Sequence, residues 1–216
     1  MHNEPRADKD SPTTLKTKLL LRLAVLGLAR GLSAAIAITG AIYAAYHYAK
    51  PGLLEAATVR DIPLQVPLRI FSRDGKLIQE IGEQRRLPVT YDQVPEHVVH
   101  AFVAAEDKRF FQHWGVDPFG ILRAAVRSVL TGREARGTST LTQQLARDYF
   151  LSRERKIIRK IKEAFLAYKI EQEFSKEEIM ALFLNKMFFG QRAYGVAAAA
   201  QIYFDKELVD LTIAEA

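Results

Sequence analysis

The sequence predicts a mainly α-helical chain with a small β element and one N-terminal membrane-spanning helix. Three observations predict it. An apolar stretch carries no charged side chain from Gly31 to Ala49. Asp74-Gly75 sits between two short alternating apolar runs, which is a hairpin signal. From Pro95 almost to the last residue, apolar positions recur at helical spacing.

The elements follow in order. The 216 residues suffice for one ordinary domain plus an anchor. Cys is absent, which excludes a disulfide framework, a thiolate metal site and a cysteine nucleophile. The net charge of +6 suits an anionic partner such as phospholipid, pyrophosphate or nucleic acid. Without zinc-finger spacing or an RNA-binding aromatic signature, nucleic acid is not expected as a partner. Residues 1–14 are polar and expected to be disordered. Lys16, Lys18, Arg22 and Arg30 then punctuate the rise into the apolar stretch, with Arg30 placed to snorkel. At ~1.5 Å per residue the charge-free run and its Leu23–Ala29 extension reach across roughly 30 Å of hydrocarbon. Tyr43, Tyr46 and Tyr48 crowd its far end as an interfacial belt would. No small-x-small cleavage site follows, so an uncleaved anchor is expected rather than a signal peptide. The positive flank is N-terminal, which puts the tail in the cytoplasm and the rest of the chain outside the inner face. The expected division is a tail at 1–18, an anchor at 19–49, a juxtamembrane linker with the hairpin at 50–92, and a helical domain at 93–216.

Pro51-Gly52 breaks the first helix, and Pro63 and Pro67 precede the hairpin runs Leu68–Phe71 and Lys76–Ile81. Helices are then expected at 95–106, 118–131, 139–151, 154–174, 176–188 and 194–203. Ser175 with Glu178 makes a capping box at the start of the fifth.

Within these elements three stretches carry chemistry. Glu106 follows Val99, Phe102 and Val103 at spacings of seven, four and three, which puts it on the apolar face of its helix. A carboxylate there either pairs with a cation or has its pKa raised, and a raised carboxyl exchanges protons near neutral pH. The plainer reading is a solvated acidic pair with Asp107 at a helix end. Second, Gly137 to Gln144 follows the Gly132–Arg136 loop, with Ser139 as a good N-cap. Free amides at that helix start suit a phosphate, and Gln143 and Gln144 suit sugar hydroxyls; a merely polar helix start fits as well. Third, in Arg153–Glu163 the buried stripe is expected to be Ile157, Ile161, Ala164, Phe165 and Tyr168. Arg155, Arg159 and Lys162 then face another side, with Arg159 and Glu163 spaced for an ion pair. This is either a solvated basic face or a cationic cradle for a diphosphate. Two later stretches read as structural: the amphipathic run 176–185, which Asn185 ends or caps, and the Ala-rich run Tyr194–Phe204, suited to close helix packing.

In this order the stretches resemble the peptidoglycan glycosyltransferase domain of class A penicillin-binding proteins. Glu106-Asp107-x-x-Phe110-x-x-His113-x-Gly115 resembles that family's first motif, and Gly137-x-Ser139-Thr140-x-Thr142-Gln143-Gln144 its second. Arg159-Lys160-x-x-Glu163 resembles the third, Lys176-x-x-Ile179 through Leu184-Asn185 the fourth, and Gly195 through Ala198-Ala199 to Tyr203-Phe204 the fifth. Any one motif is weak, whereas five in order are specific. The segment Arg69–Pro95 looks like the bifunctional type-1a proteins. Phe183 stands where the family usually has Tyr, and Arg147 where many members have Lys.

The resemblance implies a lysozyme-like, mainly α fold with a cleft opening toward the membrane. It implies glycosyl transfer from an undecaprenyl-diphosphate-linked glycan to the 4-hydroxyl of lipid II, with inversion. Glu106 is then the expected base and Glu163 a second catalytic carboxylate. Glu163 would orient the cationic shell, bind substrate, or assist a divalent ion such as Mg or Mn. Asp107, Phe110, His113, Ser139, Thr140, Gln143, Gln144, Arg147, Arg155, Arg159 and Lys162 are the expected substrate-binding residues, His113 equally readable as structural. The expected partners are lipid II, lipid-linked glycan, the membrane, and other cell-wall synthesis or division proteins. The run 116–130, with Phe119, Ile121, Leu122 and Val126, reads either as core or as a face that dips into the membrane interface. The chain stops short of the last helices of that fold, and no Ser-x-x-Lys acylation motif occurs, so it reads as an N-terminal portion for which penicillin binding is not expected. The rival functions are a lysozyme-like hydrolase or lytic transglycosylase, with Glu106 as general acid, and an inactive membrane scaffold for division partners.

Overall fold

The computed structural model describes residues 12–49, 66–82, 84–132, 137–150 and 156–216. The chain divides into two compact units, Met1–Pro51 and Gly52–Ala216. The expected break at Pro51-Gly52, Pro63 and Arg155 lie outside the described residues, as do residues 133–136 of the loop.

The first unit is one helix, α1 (Pro12–Ala49), of 38 residues. It starts earlier than expected, so residues 12–18 of the expected tail are helical. Proline suits a first helical turn, where its missing N–H has no partner to lose. Within α1, Lys16–His47 is long and apolar enough to cross a membrane, with a mean hydropathy of 1.8. Its hydroxyls are satisfied inside the helix: Ser33 Oγ donates to the Ala29 carbonyl and Thr39 Oγ1 to the Ala35 carbonyl, each at 2.9 Å. Such back-bonding removes the cost of a bare hydroxyl in hydrocarbon.

The second unit opens with the expected hairpin. Strands β1 (Leu68–Phe71) and β2 (Leu77–Ile81) pair antiparallel with a bulge at Ile70/Phe71. Gly75 takes φ +82° in the turn, a backbone conformation that a side chain disfavours. A second sheet was not legible in the sequence. The two-residue strands β3 (Arg85–Arg86) and β4 (Ala193–Tyr194) pair in parallel across more than a hundred residues of chain. Strands this short carry no periodicity to read.

The helices then follow close to their expected limits: α2 (Glu96–Glu106), α3 (Pro118–Thr131), α4 (Leu141–Phe150), α5 (Lys156–Glu173), α6 (Lys176–Lys186) and α7 (Val196–Phe204). The Ser175–Glu178 capping box is present, with Glu178 N donating to Ser175 Oγ at 3.2 Å and Ser175 N to Glu178 Oε2 at 2.8 Å. One core gathers Val98 and Val99 of α2, Leu141 and Leu145 of α4, Leu166 and Ile170 of α5, and Ile179 and Leu184 of α6. Ala197 and Ala200 of α7 join it, as close packing of an Ala-rich helix allows.

The expected stripe of α5 is corrected. Tyr168 is 46% exposed, and the buried positions are Glu163, Leu166, Ala167 and Ile170, at spacings of three, four and seven. The helix is apolar on two sides, so its own periodicity leaves the buried side open; packing against α4 and α6 decides it. Glu163 is thereby carried onto the inner face.

The chain entering from the hairpin is fastened to α6. Val89 N donates to Asn185 Oδ1 at 2.9 Å, and Asn185 Nδ2 donates to the Val89 carbonyl at 2.7 Å. The amide thus pairs with one residue's backbone as a strand would. Buried Arg86 donates through Nη1 to the Asn185 carbonyl at 3.0 Å, at the negative end of α6. Burial lowers the Arg86 pKa below its ordinary value. Burial, and then Arg86, also lower that of Lys186, whose ammonium lies 4.4 Å over the Tyr149 ring.

Candidate active site

The acidic pair at the end of α2 separates in the fold. Helix α2 stops at Glu106, and Asp107 leaves it with φ −155° and ψ 82°. The next side chain therefore turns inward. Glu106 is exposed and Asp107 is buried. The expected place of Glu106 on an apolar face is corrected: at the last turn of α2 its side chain is exposed. Its carboxylate accepts instead from Gln144 Nε2 of α4 at 2.9 Å.

Below this rim lies a buried polar floor. Asp107 Oδ2 accepts from His113 Nε2 at 2.9 Å and from Leu141 N at 3.1 Å. Gly115 N donates to His113 Nδ1 at 3.2 Å, which requires that nitrogen to be unprotonated and puts the proton on Nε2. Both ring nitrogens are thus occupied inside the protein, which supports the structural reading of His113. Gly115 takes φ +93°, and a Cβ there would lie 2.7 Å from the Ala167 carbonyl oxygen. Only glycine lets this turn sit on α5. Phe110 is fully buried, with the Lys176 ammonium 4.5 Å from its ring centroid.

The N-cap of α4 is also corrected. Thr140, not Ser139, occupies it. Gln143 N donates to Thr140 Oγ1 and Thr140 N to Gln143 Oε1, each at 3.2 Å, a reciprocal capping box. Thr140 Oγ1 donates in turn to the Gly115 carbonyl at 2.6 Å. With Leu141 N held by Asp107 and Gln143 N by Thr140, two of the first three amides of α4 are already occupied. This helix start therefore offers fewer free amides to a phosphate than expected. Asp107, Phe110, His113, Thr140 and Gln143, expected to touch substrate, are all buried and form the floor of the site.

The charged side of the site lies on α5. Glu163 is 3% exposed, and each of its oxygens faces a cation. Arg159 Nε lies 3.3 Å from Oε1, and Lys160 Nζ donates to Oε2 at 2.7 Å. The arginine contact has ion-pair distance but not hydrogen-bond orientation, so Arg159 Nε is a buried donor without an aligned acceptor. Lys160 Nζ also donates to Ser139 Oγ at 2.6 Å. The Arg159–Glu163 pair matches its expected spacing. Lys160 was missed as a site residue, although its spacing of three from Glu163 is the signal that finds it. Lys162 is half-buried on the same helix. Arg147 pairs with its neighbour Asp148 at 3.1 Å rather than reaching this cluster.

The residues do not fit the expected divalent ion. Both Glu163 oxygens already face cations, and no three His, Cys, Asp or Glu side chains gather among the described residues. Two grooves lie elsewhere. A polar one of about 610 Å³ runs past Arg69, Arg85, Gln201 and Asp205. An apolar one of about 380 Å³ runs past Phe102, Phe189 and Tyr203. Neither is lined by Glu106 or Glu163.

This geometry, a solvent-facing carboxylate above a sealed polar floor and a cationic helix, lies in a stretch of chain that known proteins resemble. A family model described as transglycosylase matches residues 74–216. The chain belongs to the transglycosylase family. It is 54% identical over 176 residues to penicillin-binding protein 1A of Escherichia coli K12, covering 82% of this chain and 21% of that protein. With penicillin-binding protein 1A of Vibrio cholerae it shares 51% identity over 174 residues, covering 81% and 21%. A crystal structure of penicillin-binding protein 1A from Haemophilus influenzae is 33% identical, with a TM-score of 0.32, covering 71% of this chain and 13% of that one. The chain spans about a fifth of the length of the curated relatives it matches. All five motifs of the transglycosylase resemblance fall inside the matched residues.

Proposed function

We propose that the chain is a peptidoglycan glycosyltransferase that polymerises lipid II, with Glu106 as its general base. The observation that carries this reading is the Glu106 carboxylate, exposed at the end of α2 and oriented by Gln144 while its neighbour Asp107 is sealed below. A general base has to reach the proton it removes, and of the two acids only Glu106 does. Membership of the transglycosylase family supplies the reaction class.

In this reading Glu106 accepts the proton of the acceptor's 4-hydroxyl. That oxygen attacks the anomeric carbon of the lipid-linked donor, and the bond from that carbon to the diphosphate breaks. Undecaprenyl diphosphate leaves, and the α linkage becomes β by a single displacement. Arg159, Lys160 and Ser139, gathered around Glu163, supply cationic and hydroxyl donors for the charge that develops on the leaving group. No step runs through a metal ion.

The anchor and α3 fit two lipid-tethered substrates. Of the run left open between core and interface, Phe119, Ile121, Leu122 and Val126 are all exposed, as are Val129 and Leu130. An apolar face beside Arg123 and Arg127 suits a headgroup boundary. The positive flank of α1 supports an N-terminus in the cytoplasm and a domain outside the inner membrane.

The test is incubation of the detergent-solubilised chain with labelled lipid II beside its Glu106→Gln variant. Polymer from the parent and none from the variant is expected. Equal polymer from both overturns Glu106 as base. Soluble muropeptides released from preformed peptidoglycan would favour the hydrolase instead.

A further inference from the structure

Further along α5, beyond Glu163, a second buried carboxylate pairs with a cation, and no step of the reaction uses either. Lys176 Nζ donates to Glu171 Oε1 at 2.7 Å, with the lysine side chain 19% exposed and the glutamate 6%. The same oxygen accepts from Thr142 Oγ1 of α4 at 2.6 Å. On its other side the Lys176 ammonium lies 4.5 Å from the centroid of the Phe110 ring. A Cβ on Gly115 would lie 3.1 Å from Glu171 Cγ. The ion pair therefore touches the Phe110–Gly115 loop, which follows Glu106 out of α2, and also α4, which carries Gln144. Those are the two sides of the Glu106–Gln144 hydrogen bond.

Asp107 and Thr140 hold only the first amides of α4, and bonds gathered at one end leave a helix free to roll about its axis. At about 100° per residue, the side chains of Thr142 and Gln144 leave α4 on nearly opposite sides. A bond at the back of the helix thus sets where the front points. Thr142 is fully buried, and its hydroxyl becomes a stop once its acceptor is fixed. Glu171 is fixed because Lys176 holds it, and a buried charge is costly without its partner. We propose that Lys176 is a positioning residue that sets the roll of α4 through Glu171 and Thr142, and so aims Gln144 at Glu106. Its contact with Phe110 refers the loop after Glu106 to the same ammonium. A brace that only stabilised the fold could be replaced by apolar side chains of similar volume. A brace that aims the partner of a general base cannot, since a small misplacement there costs rate. This deepens the glycosyltransferase reading and rests on it for the role of Glu106.

The experiment is measurement of kcat and KM for lipid II polymerisation by the detergent-solubilised chain. Thr142→Val, Thr142→Ser, Lys176→Met, Lys176→Arg, Gln144→Ala and the Thr142→Val/Gln144→Ala double variant are compared, each with a thermal melt. Thr142→Val keeps the shape of the side chain and loses the hydroxyl. It is expected to lower kcat about 3- to 10-fold with KM within about twofold, whereas Thr142→Ser keeps the parent kcat. Lys176→Met should lower kcat about tenfold, and Lys176→Arg should recover most of it, since a guanidinium also donates to Glu171. The double variant should be no more than about twofold below Gln144→Ala, because residues acting through one bond do not add. If Lys176→Met melts early, Thr142→Val and Lys176→Arg keep the test decisive. Parent kcat in Thr142→Val, or losses that multiply in the double variant, overturn the proposal. So does a lowered melt with kcat unchanged, which marks a brace of the fold alone. Parent kcat in Thr142→Val beside a dead Glu106→Gln sinks only the role of Lys176. Equal polymer from parent and Glu106→Gln sinks the reading beneath it.

Discussion

Glu106 and Asp107 are consecutive carboxylates, yet they belong to different regions of the molecule. Glu106 stands on an exposed rim with one amide partner on α4. Asp107 sits in a buried floor, where its Oδ2 holds His113 and the first amide of α4 together. The floor is preorganised by bonds that solvent cannot compete for, whereas the rim is open to a ligand. A site built this way separates the group that reacts from the groups that keep it in place, and the two should fail differently when changed.

The largest expected effect is on the rim. Glu106→Gln should lower lipid II polymerisation by about 10²- to 10⁴-fold, the usual worth of a general base, with the melting temperature unchanged. A melt lowered by several degrees would mean that Glu106 belongs to the floor. Asp107→Ala should do the reverse. It leaves the buried His113 Nε2–H and the Leu141 amide unpaired, and denaturant titration should show a loss of about 3 kcal/mol. Gly115→Ala should cost about 2 kcal/mol by the same measurement, through the Ala167 carbonyl and the positive φ. Gln144→Ala sharpens the boundary between the regions. It frees the Glu106 carboxylate to rotate and should lower turnover about tenfold with stability kept, the worth of one hydrogen bond to a charged group.

The smallest effect lies outside both regions, at Glu215. Hydrogen bonds from Lys206, then from Thr212, lower its pKa from 4.5 to about 2. A lowered carboxylate pKa means that folding favours the ionised form, so its contribution is complete above pH 4.5. It is lost as the pH falls from there through about 2. Carboxyl chemical shifts followed by NMR should show that titration, and Lys206→Ala should move it back toward 4.5.

Much of this was legible in the chain. The helix limits, the Asp74-Gly75 hairpin and the Ser175–Glu178 capping box all rest on contacts within a few residues, which local pattern reports. The errors share one cause. Ser139 reads as an N-cap as well as Thr140 does; what favours Thr140 is the Gly115 carbonyl, 25 residues away in sequence. Tyr168 reads as buried as well as Leu166 does, until α4 and α6 cover the other side of α5. Lys160 is one more cation in a basic run until Ser139 and Glu163 meet it.

By itself the sequence determined that a long apolar helix precedes a mainly helical domain, and that five motifs stand in the order of one family. Periodicity, caps and motif spacing are short-range properties written along the chain. Only the tertiary structure decided which carboxylate faces solvent, which becomes a buried brace, and which lysine joins two motifs. Burial and partner choice depend on segments far apart in sequence, and the packing of the helices brings those segments together.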